Sequence, residues 1–584
     1  MKARFDQSRF STIIRYLKCY RWLFAGGVVA VTLASALILV EPYLIKVIFD
    51  LLEANASSQE VLPWILLMFG LAFGAGIISF VTRRTIIWMS HRIEYDLRRD
   101  LWSHLLELAS PFFRKTPTGD IMARMTNDLE AVRMMVGPGI LHATEAVVTL
   151  LIAIPMMIYL SPLLTLYSLA PALLFPPVIS KLGNMIHLRY ADIQRQYSDL
   201  TSTVQENLRA SRVVRAYRQE EAQIDRFNSL SAEYVQLNLN LARLYGVFFP
   251  LSMFIASCLS LCAFYFGGLE VMHGQIPLGT LVAFFVYLGI LFWPMFAIGG
   301  LISMYQRGTA SLDRINDFLL NASHDNAGVV PAIRKSIRGQ IEFRNLCFGY
   351  NGDTVLDNLS LKIESGQSIG IVGRTGSGKS TLVSLLTRLY PVADGQIFID
   401  DIDINAWDLR DLRRQIGFAT QEVFLFSDSI RANIQMGAPD VDADDVLRAV
   451  DIAGLAPDIS VFESGLDTIV GERGILLSGG QQQRTSIARA IVRDPAILIL
   501  DDVTSAVDTE TEAGIRGKLE QLRSGRTTII VSNRLSAVRY ADRIIFLERG
   551  RLKEVGSHDE LMAANGEYAA LFRSQLLSEE LAKS

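Results

Sequence analysis

The residues best suited to chemistry in this sequence form a glycine-rich stretch that begins at Gly373. It reads GRTGSGKS, which satisfies G-x-x-x-x-G-K-[ST], with a strand-like segment before it and a helical segment after it. In this pattern backbone N–H groups close around phosphates, Lys379 meets the β- and γ-phosphate oxygens, and Ser380 ligates Mg²⁺. The predicted nucleotide-binding residues are Gly373, Arg374, Thr375, Gly376, Ser377, Gly378, Lys379, Ser380 and Thr381.

Two consecutive carboxylates close another apolar segment further along the chain. The run 496–500 is followed directly by Asp501 and Asp502. A short apolar run of this kind indicates a buried strand, and open α/β sheets bind ligands at the carboxyl edge of their strands. We therefore expect Asp501 to organise the Mg²⁺ ion of a P-loop NTPase site that binds ATP.

The segment before this strand carries a more specific pattern. Leu477 is followed by Ser478, Gly479, Gly480 and Gln481. This sequence resembles the signature of ABC (ATP-binding cassette) transporters, which other P-loop NTPases lack. The resemblance implies that residues 478–481 contact nucleotide.

Other motifs of that family occur in the expected order. Tyr350 resembles the aromatic residue that stacks on adenine, and Gln421 resembles the glutamine of the loop that contacts the membrane domain. On this resemblance Gln421 would also be a Mg²⁺ ligand and a catalytic residue. Residues 468–474 resemble the exporter cross-talk loop, and residues 505–508 resemble the dimer-contact loop.

The resemblance extends over nearly the whole chain. Residues 112–120 and 212–221 resemble the intracellular loops that carry the coupling helices of exporters. A transmembrane region followed by one nucleotide-binding domain is the order of an exporter half-transporter. The resemblance implies a dimer in which ATP lies between the P-loop of one subunit and the signature of the other, and closure of this sandwich turns an inward-facing cavity outward.

Two catalytic positions depart from the family pattern. The family usually has Glu after the Mg²⁺-organising aspartate, where it orients or deprotonates the attacking water, and this chain has Asp502. Losing one methylene withdraws the carboxylate by about 1–1.5 Å, and general-base help worth about 10²–10⁴-fold is sensitive to that displacement. The family usually has His where this chain has Asn533, and Asn cannot become cationic or relay a proton. Both changes in one site favour ATP binding with slow hydrolysis.

An intact signature beside weakened catalytic positions is typical of one subunit of heterodimeric exporters. We therefore expect a second, different ABC half-transporter subunit, and ATP-driven export of hydrophobic drugs or lipids. Two alternatives remain open: a homodimeric lipid flippase resembling the lipid-A exporters, and a mainly regulatory nucleotide-binding subunit.

The first half of the chain has the pattern of a membrane-spanning domain. Six hydrophobic runs approach or exceed the roughly 20 residues that cross a bilayer. They are 22–40 (continuing to about 48), 61–82, 137–160, 162–180, 245–268 and 279–306. We therefore expect a membrane all-α six-helix transmembrane domain, followed by an α/β P-loop NTPase (ABC) nucleotide-binding domain.

The connections between the runs differ in length and charge. Those after the first, third and fifth runs are short and carry almost no Lys or Arg, whereas those after the second and fourth are long, arginine-rich and patterned as helices. The positive-inside rule places both long loops, both termini and the nucleotide-binding domain in the cytoplasm. We expect an integral multi-pass protein of a bacterial inner membrane.

Composition agrees with this division. Half of the residues are hydrophobic, and the net charge of −4 gives no reason to expect nucleic acid as a partner. We predict a transmembrane domain over 1–325, a linker over 326–338 and a nucleotide-binding domain over 339–584.

One pair of ionisable residues lies inside a predicted span. His142 and Glu145 are three residues apart, and so share a helical face. They line a translocation path, form a hydrogen-bonded pair between helices, or simply lie near the end of a span.

Overall fold

The computed structural model describes residues 10–170, 175–320, 333–350, 352–503, 509–522 and 525–583. The chain divides into two compact units. The first comprises Met1–Ser103 and Thr118–Asn321, and the second comprises His104–Pro117 and Ala322–Ser584. Residues 326–332 of the predicted linker lie outside the described residues.

Long helices make up the first unit, because its apolar stretches satisfy their backbone polar groups within the helix. The helices of the first 320 residues are α1 (Ser11–Cys19), α2 (Arg21–Glu53), α3 (Ser58–Glu107), α4 (Ser110–Lys115), α5 (Thr118–Ala123), α6 (Leu129–Met134), α7 (Ile140–Leu160), α8 (Pro162–Leu169), α9 (Phe175–Arg209), α10 (Ser211–Ala216), α11 (Glu220–Met272) and α12 (Leu278–Leu320). Helix α4 belongs to the second unit.

Five helical stretches among the described residues are long and apolar enough to cross a membrane. They contain five of the six predicted spans, and they are Arg21–Glu53, Ser58–Glu107, Thr118–Leu160, Glu220–Met272 and Leu278–Leu320. The remaining predicted span, 162–180, falls on α8 and the start of α9, and its residues 171–174 lie outside the described part of the chain. Helices α3 and α11 have 50 and 53 residues, far more than the roughly 20 that cross a bilayer.

Two π-helical turns flank α6, at Arg124–Asp128 and Met135–Gly139. Such wide turns occur mostly as single insertions and often at functional positions. The first ends at Asp128, whose carboxylate accepts hydrogen bonds from Ser311 Oγ at 2.8 Å and Arg314 Nε at 2.9 Å on α12. In the second, a Cβ on Gly137 would lie 2.5 Å from Ser90 Oγ, so glycine permits close approach to α3. These turns therefore fix where the 118–160 stretch meets its neighbours.

Two β-sheets form the frame of the second unit. The ten strands are β1 (Ile341–Tyr350), β2 (Asp353–Ile363), β3 (Ser368–Gly373), β4 (Ile397–Ile399), β5 (Ile402–Asp403), β6 (Ile416–Ala419), β7 (Ile497–Asp501), β8 (Thr527–Val531), β9 (Arg543–Glu548) and β10 (Arg551–Gly556). The antiparallel sheet has the order β2-β1-β4-β5, and the larger sheet has the order β10-β9-β3-β8-β7-β6. In the larger sheet the five neighbouring strands β9, β3, β8, β7 and β6 run parallel, so their carboxyl ends share one edge.

Beyond β3 the second unit also contains helices. They are α13 (Lys379–Leu386), α14 (Leu409–Arg414), α15 (Ile430–Gln435), α16 (Ala443–Ile452), α17 (Ala456–Val461), α18 (Gly479–Ile491), α19 (Thr509–Leu522), α20 (Leu535–Val538), α21 (His558–Ala564) and α22 (Glu567–Lys583). Every residue of β3 and β7 is buried, as their continuous apolar sequences predict for central strands. The carboxyl edge of these strands carries the candidate site.

Candidate active site

The glycine-rich loop joins β3 to the first turn of α13. Gly378 caps this helix with φ +98°, and a Cβ there would lie 2.8 Å from Leu356 Cδ2. At Gly373 a Cβ would meet the carbonyl oxygen of Leu547 at 2.2 Å. These positions therefore require glycine, and the loop that they shape ends at a helix N-terminus, where backbone N–H groups bind anions.

Two buried polar groups inside the loop fit a phosphate chain. Lys379 is 7% exposed, and its Nζ donates to the carbonyl oxygens of Gly373 at 2.8 Å and Arg374 at 3.1 Å. Burial lowers the pKa of Lys379, against the opposing effect of Asp502 and Asp501. Ser377 Oγ is buried and has no hydrogen-bond partner among the described residues. An anionic ligand would satisfy both groups, because neither has a carboxylate partner in hydrogen-bond range among the residues that the structure describes.

Ser380 and Asp501 form the adjoining pair that could hold a Mg²⁺ ion. Ser380 Oγ donates to Asp501 Oδ1 at 3.1 Å, and Asp501 is 3% exposed at the end of β7. Burial raises the pKa of Asp501, while the hydrogen bond from Ser380 and the charge of Lys379 oppose that rise. A hydroxyl and a carboxylate are the oxygen ligands that Mg²⁺ prefers beside substrate phosphates, so these residues fit the ion.

Asp502 and Asn533 are brought together by the pairing of β7 with β8. Asp501 lies opposite Val531 in that register, so the residues that follow each strand are neighbours. Asn533 Nδ2 donates to Asp502 Oδ2 at 3.1 Å, and Ser532 Oγ lies 3.5 Å from Asp502 Oδ1. Asp502 has φ +50°, a left-handed conformation that Asp tolerates better than most residues. The two positions that depart from the family pattern therefore contact each other.

Gln421 follows β6 at the same edge of the sheet. Its strand pairs with β7, with Ala419 opposite Leu500, so Gln421 follows the strand next to that of Asp501. The Gln421 side chain is exposed. This placement is compatible with the expected role at the Mg²⁺ ion, which stays a prediction.

Tyr350 lies at the end of β1 beside the phosphate loop. Its hydroxyl is 3.2 Å from Thr381 Oγ1, in the first turn of α13. The rings of Phe348 and Tyr390 approach it edge-on, at centroid distances of 5.1 and 5.2 Å. Tyr350 is thus placed where the base of a nucleotide held by the loop could stack.

The signature residues form an exposed helix start elsewhere in the second unit. Ser478 caps α18: its Oγ accepts from Gln481 N at 3.3 Å, and Gln481 Oε1 accepts from Ser478 N at 2.9 Å. Gln481 Nε2 also donates to Asp458 Oδ1 at 2.9 Å. Ser478 and Gly479 are exposed and Gly480 is partly so, so the first turn of α18 is rigid yet open to a ligand.

Two further predicted motifs have different outcomes. Residues 505–508, the predicted dimer-contact loop, lie outside the described residues. The predicted cross-talk loop, 468–474, contains a 3₁₀ turn, Glu472–Gly474, and Arg473 has φ +54°. Ile475 and Leu476, which follow this loop, are 78% and 70% exposed.

The membrane pair His142 and Glu145 lies on α7. His142 Nδ1 is 3.3 Å from Glu145 Oε2, and both side chains are a little over one-third exposed. Glu145 also lines a small cavity of about 40 Å³ with residues of α2 and α3, including Thr82 and Arg83. All three readings of this pair therefore remain predictions.

Sequence reasoning missed residues that contact the site from distant parts of the chain. Gln575 Nε2 on α22 donates to the carbonyl oxygen of Asn533 at 2.7 Å. The guanidinium carbon of Arg114 on α4 lies 4.5 Å from the ring centroid of Tyr350. Gln575 belongs to none of the predicted motifs, and the motif that contains Arg114, residues 112–120, gives no indication of a contact with the nucleotide site.

Comparisons with known proteins agree with the motifs. The family model for the ABC transporter transmembrane region matches residues 23–295, and the model for the ABC transporter ATP-binding part, described as "ABC transporter", matches residues 356–505. A solved structure, described as a bacterial Atm1-family ABC exporter with ATP bound, superposes with a TM-score of 0.79 at 26% identity, and covers 95% of this chain and 98% of that one. The predicted fold, a transmembrane helical domain followed by an α/β nucleotide-binding domain, is confirmed.

Curated relatives cover the chain from end to end. A probable multidrug resistance ABC transporter ATP-binding/permease protein of Bacillus subtilis, YheI, is 38% identical over 97% of this chain and 98% of its own length. The ATP-dependent lipid A-core flippase of Nitrosococcus oceani is 33% identical over 97% of this chain and 95% of its own. The multidrug resistance-like ATP-binding protein MdlA of Escherichia coli is 33% identical over 96% and 95%.

Proposed function

Because the chain belongs to the ABC transporter family, as an exporter half-transporter whose ATPase activity is coupled to transport, we propose that it is one subunit of a heterodimeric exporter. Its own site would bind ATP and hydrolyse it slowly, while its signature would complete the faster site of a different subunit. The two halves of this proposal rest on two separate parts of the second unit.

The contact between Asp502 and Asn533 carries the proposal. The hydrogen bond of 3.1 Å ties a carboxylate that is already one methylene short to an amide that cannot relay a proton. A general base about 1–1.5 Å out of position loses much of a contribution worth about 10²–10⁴-fold. The binding groups beside them keep the family pattern, so binding and hydrolysis are separated in one site.

Each group of the binding half has a definite task. Lys379 and the N–H groups of the loop would hold the phosphates, and Ser380 and Asp501, with Gln421, would hold Mg²⁺. When bound, Mg²⁺ neutralises charge on the phosphate oxygens. Tyr350 would carry the adenine ring, and Ser377 Oγ would gain the partner that it lacks within the chain.

The first turn of α18 serves the other subunit in this proposal. Its capping box fixes the helix start and engages the N–H group of Ser478, so an anion would meet the N–H groups of Gly479, which is exposed, and Gly480, which is partly exposed. A helix start built in this way favours the phosphates of a nucleotide bound across a dimer interface.

Substrate and location follow from the membrane half and the relatives. Relatives named for multidrug resistance and for lipid A-core flipping support hydrophobic compounds, drugs or lipids, as the transported class. The arginine-rich long loops support a cytoplasmic position for the nucleotide-binding part, in a bacterial inner membrane.

Purification from the native membrane tests the heterodimer. We expect a second chain of similar size in equal amount, and little ATP hydrolysis by this chain when it is purified alone in lipid nanodiscs. Robust hydrolysis by this chain alone would support the homodimeric lipid flippase instead.

A regulatory subunit is the other alternative. It is favoured if replacing Lys379 or Ser478 leaves transport by the assembled complex unchanged. It fails if either replacement abolishes transport, since a merely regulatory subunit is not required for each transport cycle.

A further inference from the structure

A cation from a helix outside the nucleotide motifs lies on the aromatic residue of the proposed site. Helix α4 carries Arg114, whose guanidinium carbon is 4.5 Å from the ring centroid of Tyr350. The nearby hydroxyl of Tyr390 is the main cause of the raised pKa of Arg114. The guanidinium is therefore charged, and it lies over the ring of Tyr350.

Other side chains contact Tyr350 as well. Phe348 and Tyr390 stand against its ring at interplanar angles of 90° and 74°, and its hydroxyl lies beside Thr381. Thr381 follows the phosphate-binding residues Lys379 and Ser380 directly. A nucleotide held by the loop thus has its base near this ring, and bases and guanidinium groups both bind aromatic faces.

We propose that Arg114 and the nucleotide base compete for the same face of Tyr350, so that base binding displaces the guanidinium and releases α4. Since α4 begins three residues after α3 ends, the displacement makes the segment 108–117 responsive to the base of the nucleotide rather than to its phosphates alone. The inference rests on ATP binding at the proposed site, and it is independent of the heterodimer.

Calorimetric titration of the full-length chain in nanodiscs with MgATP and with magnesium tripolyphosphate tests the competition. An exposed cation–π contact corresponds to about a two- to fivefold change in affinity. Arg114→Ala should therefore bind MgATP about two- to fivefold more tightly, Arg114→Lys should be intermediate, and tripolyphosphate should bind all of them equally because it has no base. Lys115→Ala, which removes the neighbouring cation of α4, should leave both affinities unchanged.

Hydrogen exchange of residues 108–117 supplies a second measurement. MgATP should raise exchange there in the wild-type chain, tripolyphosphate should not, and Arg114→Ala should exchange faster without ligand. Weaker or unchanged MgATP binding by Arg114→Ala, or an equal change for tripolyphosphate, would overturn the competition. Failure of the wild-type chain to bind MgATP would instead refute the proposed nucleotide site.

Discussion

The carboxyl edge of the large sheet and the first turn of α18 belong to one unit but differ in burial and in chemistry. At the sheet edge, Lys379 and Asp501 are at least 93% buried, and the residues that would act on water depart from the family pattern. At α18 the pattern is intact, and Ser478 is exposed. A site that serves its own chain can be enclosed by that chain, whereas a surface that serves another subunit has to stay open. On the proposed function, the enclosed site is the slow one, and the open surface completes the faster site of the other subunit.

Single substitutions in the two regions should have the largest effects on turnover, and these effects should be unequal. In the assembled complex, Ser478→Arg places a bulky side chain at the helix start that we propose to bind phosphate. We expect turnover to fall about 100-fold, as when a critical hydrogen-bond donor to the transition state is lost. Lys379→Ala should weaken ATP binding at the slow site and lower turnover about tenfold or less. Steady-state ATPase assays compare them, and equal losses would contradict the asymmetry.

Restoring the family residues at positions 502 and 533 should have the next largest effect, on the rate of ATP hydrolysis. The double variant Asp502→Glu/Asn533→His restores the reach of the base and a group that can carry a proton, so ATP hydrolysis by this chain alone should rise about 10–100-fold. The single variants serve as controls and should gain less, because Asp502 and Asn533 contact each other and are expected to couple. No gain in the double variant would place the cause of slow hydrolysis elsewhere.

Acidification should separate the two regions by a smaller factor. The pKa of Asp501 is raised by burial, so this carboxylate takes up a proton at a higher pH than an ordinary aspartate, and only its ionised form holds Mg²⁺. Mg²⁺-dependent ATP affinity should fall by up to about tenfold per pH unit once the pH is below that raised value. Calorimetry with and without Mg²⁺ measures this affinity. In the Asp501→Asn variant, the Mg²⁺-dependent affinity for ATP should be low and should not change with pH. Mg²⁺ affinity that stays constant down to the ordinary pKa of an aspartate, about 3.9, would contradict the assignment.

Removing a helix cap should give the smallest effect. Ser478→Ala deletes the side-chain half of the α18 capping box and should cost about 1 kcal/mol of unfolding free energy. Ser557→Ala is a matched control, because Ser557 and Glu560 form the same motif at the start of α21. Thermal unfolding should show similar losses, whereas turnover of the complex should fall further for Ser478→Ala. An equal effect on turnover would deny α18 a special role.

The sequence predicted local features of the site well and its long-range contacts poorly. The loop around Lys379 and the strand that ends at Asp501 depend on neighbours in the chain, so motif and periodicity reveal them. The hydrogen bond between Asn533 and Asp502 depends on β8 lying next to β7, and the sequences of these two strands do not by themselves predict their order in the sheet. Arg114 reaches Tyr350 only because a short helix from the first half of the chain joins the second unit. Apolar length predicted the membrane helices, but it could not predict the π turns, since an apolar stretch looks alike in either helix type.

The two π turns change the direction in which side chains of the 118–160 stretch point. Each wide turn accommodates one residue more than an α-helical turn, so side chains beyond it are displaced by about 100° around the axis. The accessibility of single cysteines along this stretch should therefore vary with a period of 3.6 residues, and this period should shift by one residue within 124–128 and again within 135–139. Deleting a single residue inside either turn would restore a regular helix, and every side chain beyond the deletion would then face a different direction.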